Sequence, residues 1–273
     1  MNRMLLLLAM LAVSAVRTTA LPAAPGQAPQ QALQAAATDA IGFFLGLGDL
    51  KGGEIWSEAL ALSDDGRVVV GRSHSSASAE EAFVWTRERG LVALAGLQAD
   101  DPSGEPRALT PDGVVVVGKA GSPRGIFEAV QWGPGRGCTA LGDLPGGNFI
   151  SQALGVSADG RVLVGWGESR RGDEAVRWVD GVLEALGDLP GGAFHSAAAL
   201  VSADGGTVVG TGNSARGSEA FTWREETGFV ALGDLAGGAF SSEPFGMTPD
   251  ATVIVGEGAS AAGIEAMRWT AAE

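Results

Sequence analysis

The sequence predicts an all-β fold, a five-bladed β-propeller closed by an N-terminal outer strand, and three observations carry that prediction. First, LGDLPGG at 141–147 returns letter for letter at 186–192, with near-copies LGDLKGG at 47–53 and LGDLAGG at 232–238. Second, the units opened by this motif start at Leu47, Leu94, Leu141, Leu186 and Leu232, spaced by 47, 47, 45 and 46 residues. A period of that size belongs to propeller blades or solenoid coils. Third, each unit holds four short apolar runs separated by turn residues, and no helical period is sustained after residue 40. Four short strands, apolar on both faces, describe a small sheet sandwiched between two others.

Residues 1–20 have the layout of a secretory signal peptide: Arg3, an apolar run, then small residues around a cleavage point after Ala20. The run is short for a membrane span, which needs about 20 apolar residues; an uncleaved anchor is the rival reading. No cysteine stands near the cleavage point, so a lipoprotein anchor is excluded. A secreted protein, periplasmic or extracellular, without membrane insertion after signal removal is expected. Residues 21–40 are rich in Ala, Gln and Pro and read as a flexible linker. The repeats then fill 41–273.

The third unit shows the pattern cleanly: LGDLPGG, SQALGVS, ADG, RVLVGWG, a polar loop, EAVRW, and GVLEALGDL leading into the next unit. Strands a and b form a hairpin about Asp159-Gly160, because a tight turn needs positive φ and glycine accepts it at little cost. The turn recurs as Asp65-Gly66, Asp112-Gly113 and Asp204-Gly205; Asp250-Ala251 in the fifth unit predicts a weaker or different turn. Strand c ends in Trp85, Trp132, Trp178, Trp223 or Trp269; one reading makes them stacking platforms for sugars, and the favoured one has each large side chain wedge neighbouring twisted sheets. The last unit lacks strand d, whereas 41–50 (IGFFLGLGDL) reads as a strand d with no blade before it. Pairing of that segment with the last blade would close the ring. A solenoid is the competing architecture, and it would need polar caps.

The string LGxLxGG…S-x-A…S-x-DG…VVG…AF-x-W resembles the extracellular HAF repeat, five times over residues 42–269. The resemblance implies an exported bacterial repeat protein and supplies no catalytic residues. One departure is systematic: glutamate replaces the family's histidine at Glu81, Glu128, Glu174, Glu219 and Glu265, and the Phe position becomes Val130, Val176 and Met267 in three units.

Composition narrows the function. The net charge is −14, and loss of residues 1–20 takes away Arg3 and Arg17 and no acid, which moves it to about −16. An acidic surface argues against nucleic acid and anionic membranes, both of which select Lys/Arg patches. The lone Cys138 cannot form an internal disulfide, so the domain is expected to hold through packing. His74 and His195 fall in different units, no run has the alternating oxygens of a calcium loop, and no phosphate-cradling or nucleophile motif occurs. No metal site, cofactor or catalytic residue is expected.

The candidate site is the segment joining strand d to strand a: GGEIWS (52–57), GGNFIS (146–151), GGAFHS (191–196) and GGAFSS (237–242). Read as a loop at the channel mouth, it offers Ile55, Trp56, Phe149, Phe194, His195 and Phe240 to a saccharide or protein ligand. The competing reading packs the Phe between blades while the Ser bonds backbone. The second unit breaks the segment with LQADDPSGEP (97–106). The expectation is a monomeric, non-catalytic binding or surface-interaction module. The alternatives are a purely structural adhesion scaffold and, third, a hydrolase at the channel mouth.

Overall fold

The computed structural model describes residues 44–133 and 137–270; the expected signal peptide and linker lie outside them. Every strand described lies within the unit that begins at Gly46. Among the described residues there is no helix.

The first repeat forms β1 (Ser57–Leu62), β2 (Val68–Ser73), β3 (Glu81–Thr86) and β4 (Gly90–Ala93), antiparallel and hydrogen-bonded in that order. The second forms β5 (Gly104–Leu109), β6 (Val116–Gly121), β7 (Phe127–Gly133) and β8 (Gly137–Ala140), and the third β9 (Gly146–Val156), β10 (Val162–Ser169), β11 (Gly172–Val179) and β12 (Val182–Gly187). The fourth contributes β13 (Gly191–Val201), β14 (Val208–Ser214), β15 (Gly217–Arg224) and β16 (Gly228–Ala231). The fifth contributes β17 (Gly237–Met247), β18 (Val253–Ser260) and β19 (Gly263–Thr270). One parallel bridge, Ser218 to Ser241, joins β15 to β17. Repeats four and five therefore share a 7-stranded sheet beside three 4-stranded ones.

The hairpin between the first two strands of each repeat is fixed by its own side chains. In the third repeat Ser157 Oγ donates to Asp159 Oδ1 at 2.7 Å, the same oxygen accepts from Arg161 N at 3.0 Å, and Val162 N donates to Ser157 Oγ at 3.0 Å. Gly160 takes φ 72°. The fifth turn is the same one: Thr248, Asp250 and Val253 repeat these bonds at 2.6 and 3.1 Å, and Ala251 takes φ 54°. The sequence predicted a weaker or different turn there; instead the Thr–Asp bonds impose the conformation and Ala251 carries its steric cost.

Every first strand shares one bulge, between Ala59 and Ala61 in β1 and between Pro244 and Gly246 in β17, for example, and β9, β13 and β17 have a second register shift nearer their start. The bulge brings a carbonyl against the glycine of the VVG motif: a side chain on Gly165 would collide with the Gln152 carbonyl oxygen. The core lies between sheets and mixes consecutive repeats. Val117 and Ala129 of repeat two pack with Leu163, Val176 and Trp178 of repeat three, and Val164 and Ala175 of repeat three with Val208 and Phe221 of repeat four. Trp178 is fully buried, and its Nε1 donates to the Leu141 carbonyl at 2.8 Å.

Two expectations about the segments that link repeats change. Residues 44–50 form no strand, β19 pairs with β18 alone among the described residues, and 41–43 lie outside them. The Gly-Gly-aromatic segments of repeats three to five are not loops but the beginnings of the 11-residue strands β9, β13 and β17. Gly146 pairs with Ser169, Gly191 with Ser214 and Gly237 with Ser260, so the hairpin with the next strand runs to its tip.

Candidate functional site

The hairpin tips of one repeat meet the Gly-Gly-aromatic segment of the next, and the same three-residue station forms three times. Arg124 lies over the Phe149 ring at 4.2 Å, Arg171 over Phe194 at 3.9 Å and Arg216 over Phe240 at 4.2 Å. Each arginine also pairs with a glutamate near the start of its own repeat's third strand: Arg124 with Glu128 at 2.5 Å, Arg171 with Glu174 at 3.1 Å and Arg216 with Glu219 at 2.7 Å. Those glutamates are buried, while the guanidinium side chains stay more than half exposed. A cation over an aromatic face is attracted by the ring quadrupole, by about 0.5–2 kcal/mol. The glycine after each arginine allows the approach, because a side chain at Gly125 or Gly217 would collide with the carbonyl of Phe149 or Phe240.

The serine that ends the segment ties the same two repeats. Ser196 Oγ donates to Gly187 O at 2.6 Å and accepts from Ala175 N at 2.9 Å; Ser151 and Ser242 do the same with Gly142 and Ala129 and with Gly233 and Ala220. The aspartate of LGDL braces the connector. Asp143 accepts from Leu144 N and Ile150 N, both at 2.7 Å, and Asp188 accepts from Leu189 N and His195 N at 2.7 and 2.8 Å. Burial pushes the Asp143 carboxyl up to about 6, against the lowering effect of those amide donors.

The predicted site residues thus divide. Phe149, Phe194 and Phe240 are half-buried, each with one face under an arginine. Ile150 stands half-buried beside Phe149, while His195 is exposed, with Nδ1 3.4 Å from Asp173 Oδ2. Ile55 is 93% exposed, and Trp56 stacks on His74 at 4.7 Å with Arg72 5.4 Å from its ring centre. The first repeat therefore carries no copy of the station. Between repeats one and two, where the aromatic is missing, an ion cluster stands instead: buried Glu105 meets Arg107 at 2.9 Å, Lys119 at 3.4 Å and Arg72 at 3.5 Å. The odd connector is held by Asp101, whose Oδ1 accepts from Ser103 N at 3.1 Å.

The arginines were missed in the sequence, although a signal was there. Ser-x-Arg-Gly stands at 122–125, 169–172 and 214–217, always one repeat ahead of a Gly-Gly-x-Phe. The fifth hairpin reads SAAG (260–263), and the first has no Ser-x-Arg-Gly. Glu81 is half-buried and Glu265 exposed, the latter bonded to Ser260 Oγ. Cys138 has a thiol pushed up to about 12 by burial, with the charge of Glu128 adding to the shift, so it is protonated and a poor nucleophile at neutral pH. Among the described residues no group of three His, Cys, Asp or Glu side chains is placed to hold a metal ion.

Consecutive antiparallel sheets of this kind have known counterparts. The chain resembles the structure of a putative TolB from Agrobacterium tumefaciens, with a TM-score of 0.57, 13% identity, and 79% of this chain covering 77% of that one. The fold is that of a β-propeller. TolB from Acinetobacter baumannii matches with a TM-score of 0.51 and 15% identity, over 77% of this chain and 52% of that one. A structure from a study of two prolyl endopeptidases matches with a TM-score of 0.51 and 14% identity, over 79% of this chain and 34% of that one. No protein-family model and no curated protein matches the sequence. Among the described residues no helix is long and apolar enough to cross a membrane.

Proposed function

We propose that this protein is an exported five-bladed propeller of HAF-like repeats that works without catalysis, as a binding or surface-interaction module. The observation that carries the reading is the station repeated on one rim, Arg124/Phe149, Arg171/Phe194 and Arg216/Phe240. Each guanidinium is stacked on a ring and pinned by a buried carboxylate, yet keeps donors free toward solvent. A donor fork held in place loses little freedom on binding. Three such forks at one-repeat spacing suit a ligand that is itself repetitive and rich in hydroxyl or carboxylate oxygens, such as a saccharide chain, because linked weak sites multiply affinity.

A second reading has its own support. The arginine is present wherever the next repeat offers Gly-Gly-x-Phe and absent between repeats one and two, where the ring is missing. That co-occurrence suits a clamp between repeats and a scaffold without a small ligand. The test is an oligosaccharide array probed with the full chain and with a triple variant, Phe149→Leu, Phe194→Leu and Phe240→Leu, which keeps the apolar fill and frees the arginines. Saturable binding that weakens at least about tenfold in the triple variant, a loss of roughly 1.4 kcal/mol, supports the rim. Binding that is unchanged sinks it.

A further inference from the structure

The interfaces between consecutive sheets differ in what covers the strand-c tryptophan, and only one of them sets a cation over it among the described residues. At the interface of repeats three and four, Arg177 lies over the Trp223 ring at 4.6 Å and is held there by Glu184 at 2.6 Å and Glu225 at 3.1 Å. The position of Arg177, one residue before the strand-c tryptophan, is Val84 in repeat one and Gln131 in repeat two. In repeat four it is Thr222, a shorter side chain, and the tryptophan across the interface is Trp269. Among the described residues no cation stands over Trp269. A groove of about 440 Å³ opens there instead, lined by both Thr222 and Trp269, within the ~300–1,000 Å³ span of ligand pockets.

Five threonines line the groove among its apolar residues. Thr207 stands where the other repeats have Val68, Val115, Val162 and Val253, and Thr227, Thr252 and Thr270 join Thr207 and Thr222 around the groove. Thr207 is only 5% exposed. A hydroxyl in place of a buried valine methyl costs free energy unless it is bonded. Yet among the described residues neither its hydroxyl nor those of Thr222 and Thr270 has a hydrogen-bond partner, and the Thr207 oxygen is not among the fully buried atoms. Arg224 lies on the same wall, with no carboxylate within 4.0 Å among the described residues.

We propose that this groove binds one unit of an acidic saccharide. A pyranose stacks its apolar C–H face on Trp269, the threonine hydroxyls meet its hydroxyls, and Arg224 takes its carboxylate. The indole face is the electron-rich side that favours C–H contact, and a guanidinium matches a carboxylate through two parallel bonds. The site is separate from the rim stations and does not rest on their binding a ligand.

The test is titration calorimetry on the full chain with two probes, a galacturonic acid hexamer and the neutral cellohexaose. The expected result is saturable binding of the acidic hexamer at one groove-dependent site per chain. Thr222→Arg, which supplies the cover that Arg177 gives Trp223, and Thr207→Val, which installs the residue of the other repeats, should each weaken it at least about tenfold. Neither variant removes a core side chain, and unchanged thermal unfolding checks that both fold. Arg224→Gln should erase the preference for the acidic over the neutral hexamer. The Phe149/Phe194/Phe240 leucine variant should leave this site intact, which separates it from the rim. Binding of the acidic hexamer within twofold of wild type in Thr222→Arg, or no saturable binding of either hexamer by the folded chain, overturns the proposal. So does binding lost only in the triple leucine variant, which would place the ligand on the rim.

Discussion

Repeats three and five are written in almost the same letters, RVLVGWG against TVIVGEG and EAVRW against EAMRW, and yet their side chains meet different surroundings. Val164 is fully buried between sheets, whereas Val255, in the same place of the motif, is 45% exposed. Ala175 and Glu174 are buried; Ala266 and Glu265 are exposed. The difference lies on one face. Toward the preceding repeat, Ile254 is as buried as Leu163, and Trp269 donates to Leu232 O as Trp178 donates to Leu141 O. What the motif encodes is a strand with two apolar faces, and burial of the second face comes from the next sheet, as in other arrays stabilised by nearest neighbours.

The largest effect expected from this contrast is at the valines. Val164→Ala should cost about 2–3 kcal/mol, from lost transfer energy and the cavity left between sheets. Val255→Ala should cost less than about 1 kcal/mol, because its side chain already meets water in part. Urea unfolding of the two variants checks this, and equal losses would break the comparison by showing that the second face of repeat five is covered in solution. A smaller effect sharpens it at the turns. Ala251→Gly should stabilise by about 1 kcal/mol, since glycine accepts the φ of 54° that alanine holds against its Cβ. A loss of stability on that change would mean the Thr248–Asp250 bonds do not impose the turn.

Much of this architecture was legible in the letters because it depends on local chemistry. The Ser/Thr-x-Asp-Gly hairpins, the glycine of VVG and the strand-c tryptophans each satisfy a demand that arises within a few residues or across one fixed interface. Ala251 misled because a residue's own preference was weighed without the side-chain bonds around it. The Gly-Gly-aromatic segments misled for a related reason. Two glycines signal a turn, but here Gly147 and Gly192 lie where a side chain would press against the neighbouring strand's backbone at Glu168 and Asn213. The second glycine of each pair serves a close approach within a long strand, while the first takes the positive φ that the turn signal implied, 100° at Gly146 and 96° at Gly191. The joining of repeats four and five through Ser218 and Ser241 depends on how two sheets settle together, which no motif records.

The candidate site was half legible. The rings at Phe149, Phe194 and Phe240 were found, but their covers lie about 25 residues earlier, in the preceding hairpin. The pairing becomes visible only when Ser-x-Arg-Gly in one repeat is set beside Gly-Gly-x-Phe in the next. The groove at Trp269 was not legible from either motif, since it results from two threonines standing where other repeats carry larger or more apolar side chains.

The central claim is that each rim ring is engaged by the arginine of the preceding repeat, so that the station joins two sheets and sets the guanidinium in place. A double-mutant cycle on Arg171→Ala and Phe194→Ala, read by urea unfolding, measures that engagement directly. The account predicts a coupling of about 1 kcal/mol, in the range of a partly exposed cation–π pair. Losses that simply add, to within about 0.3 kcal/mol, would contradict it and leave Phe194 as a ring free to meet a ligand.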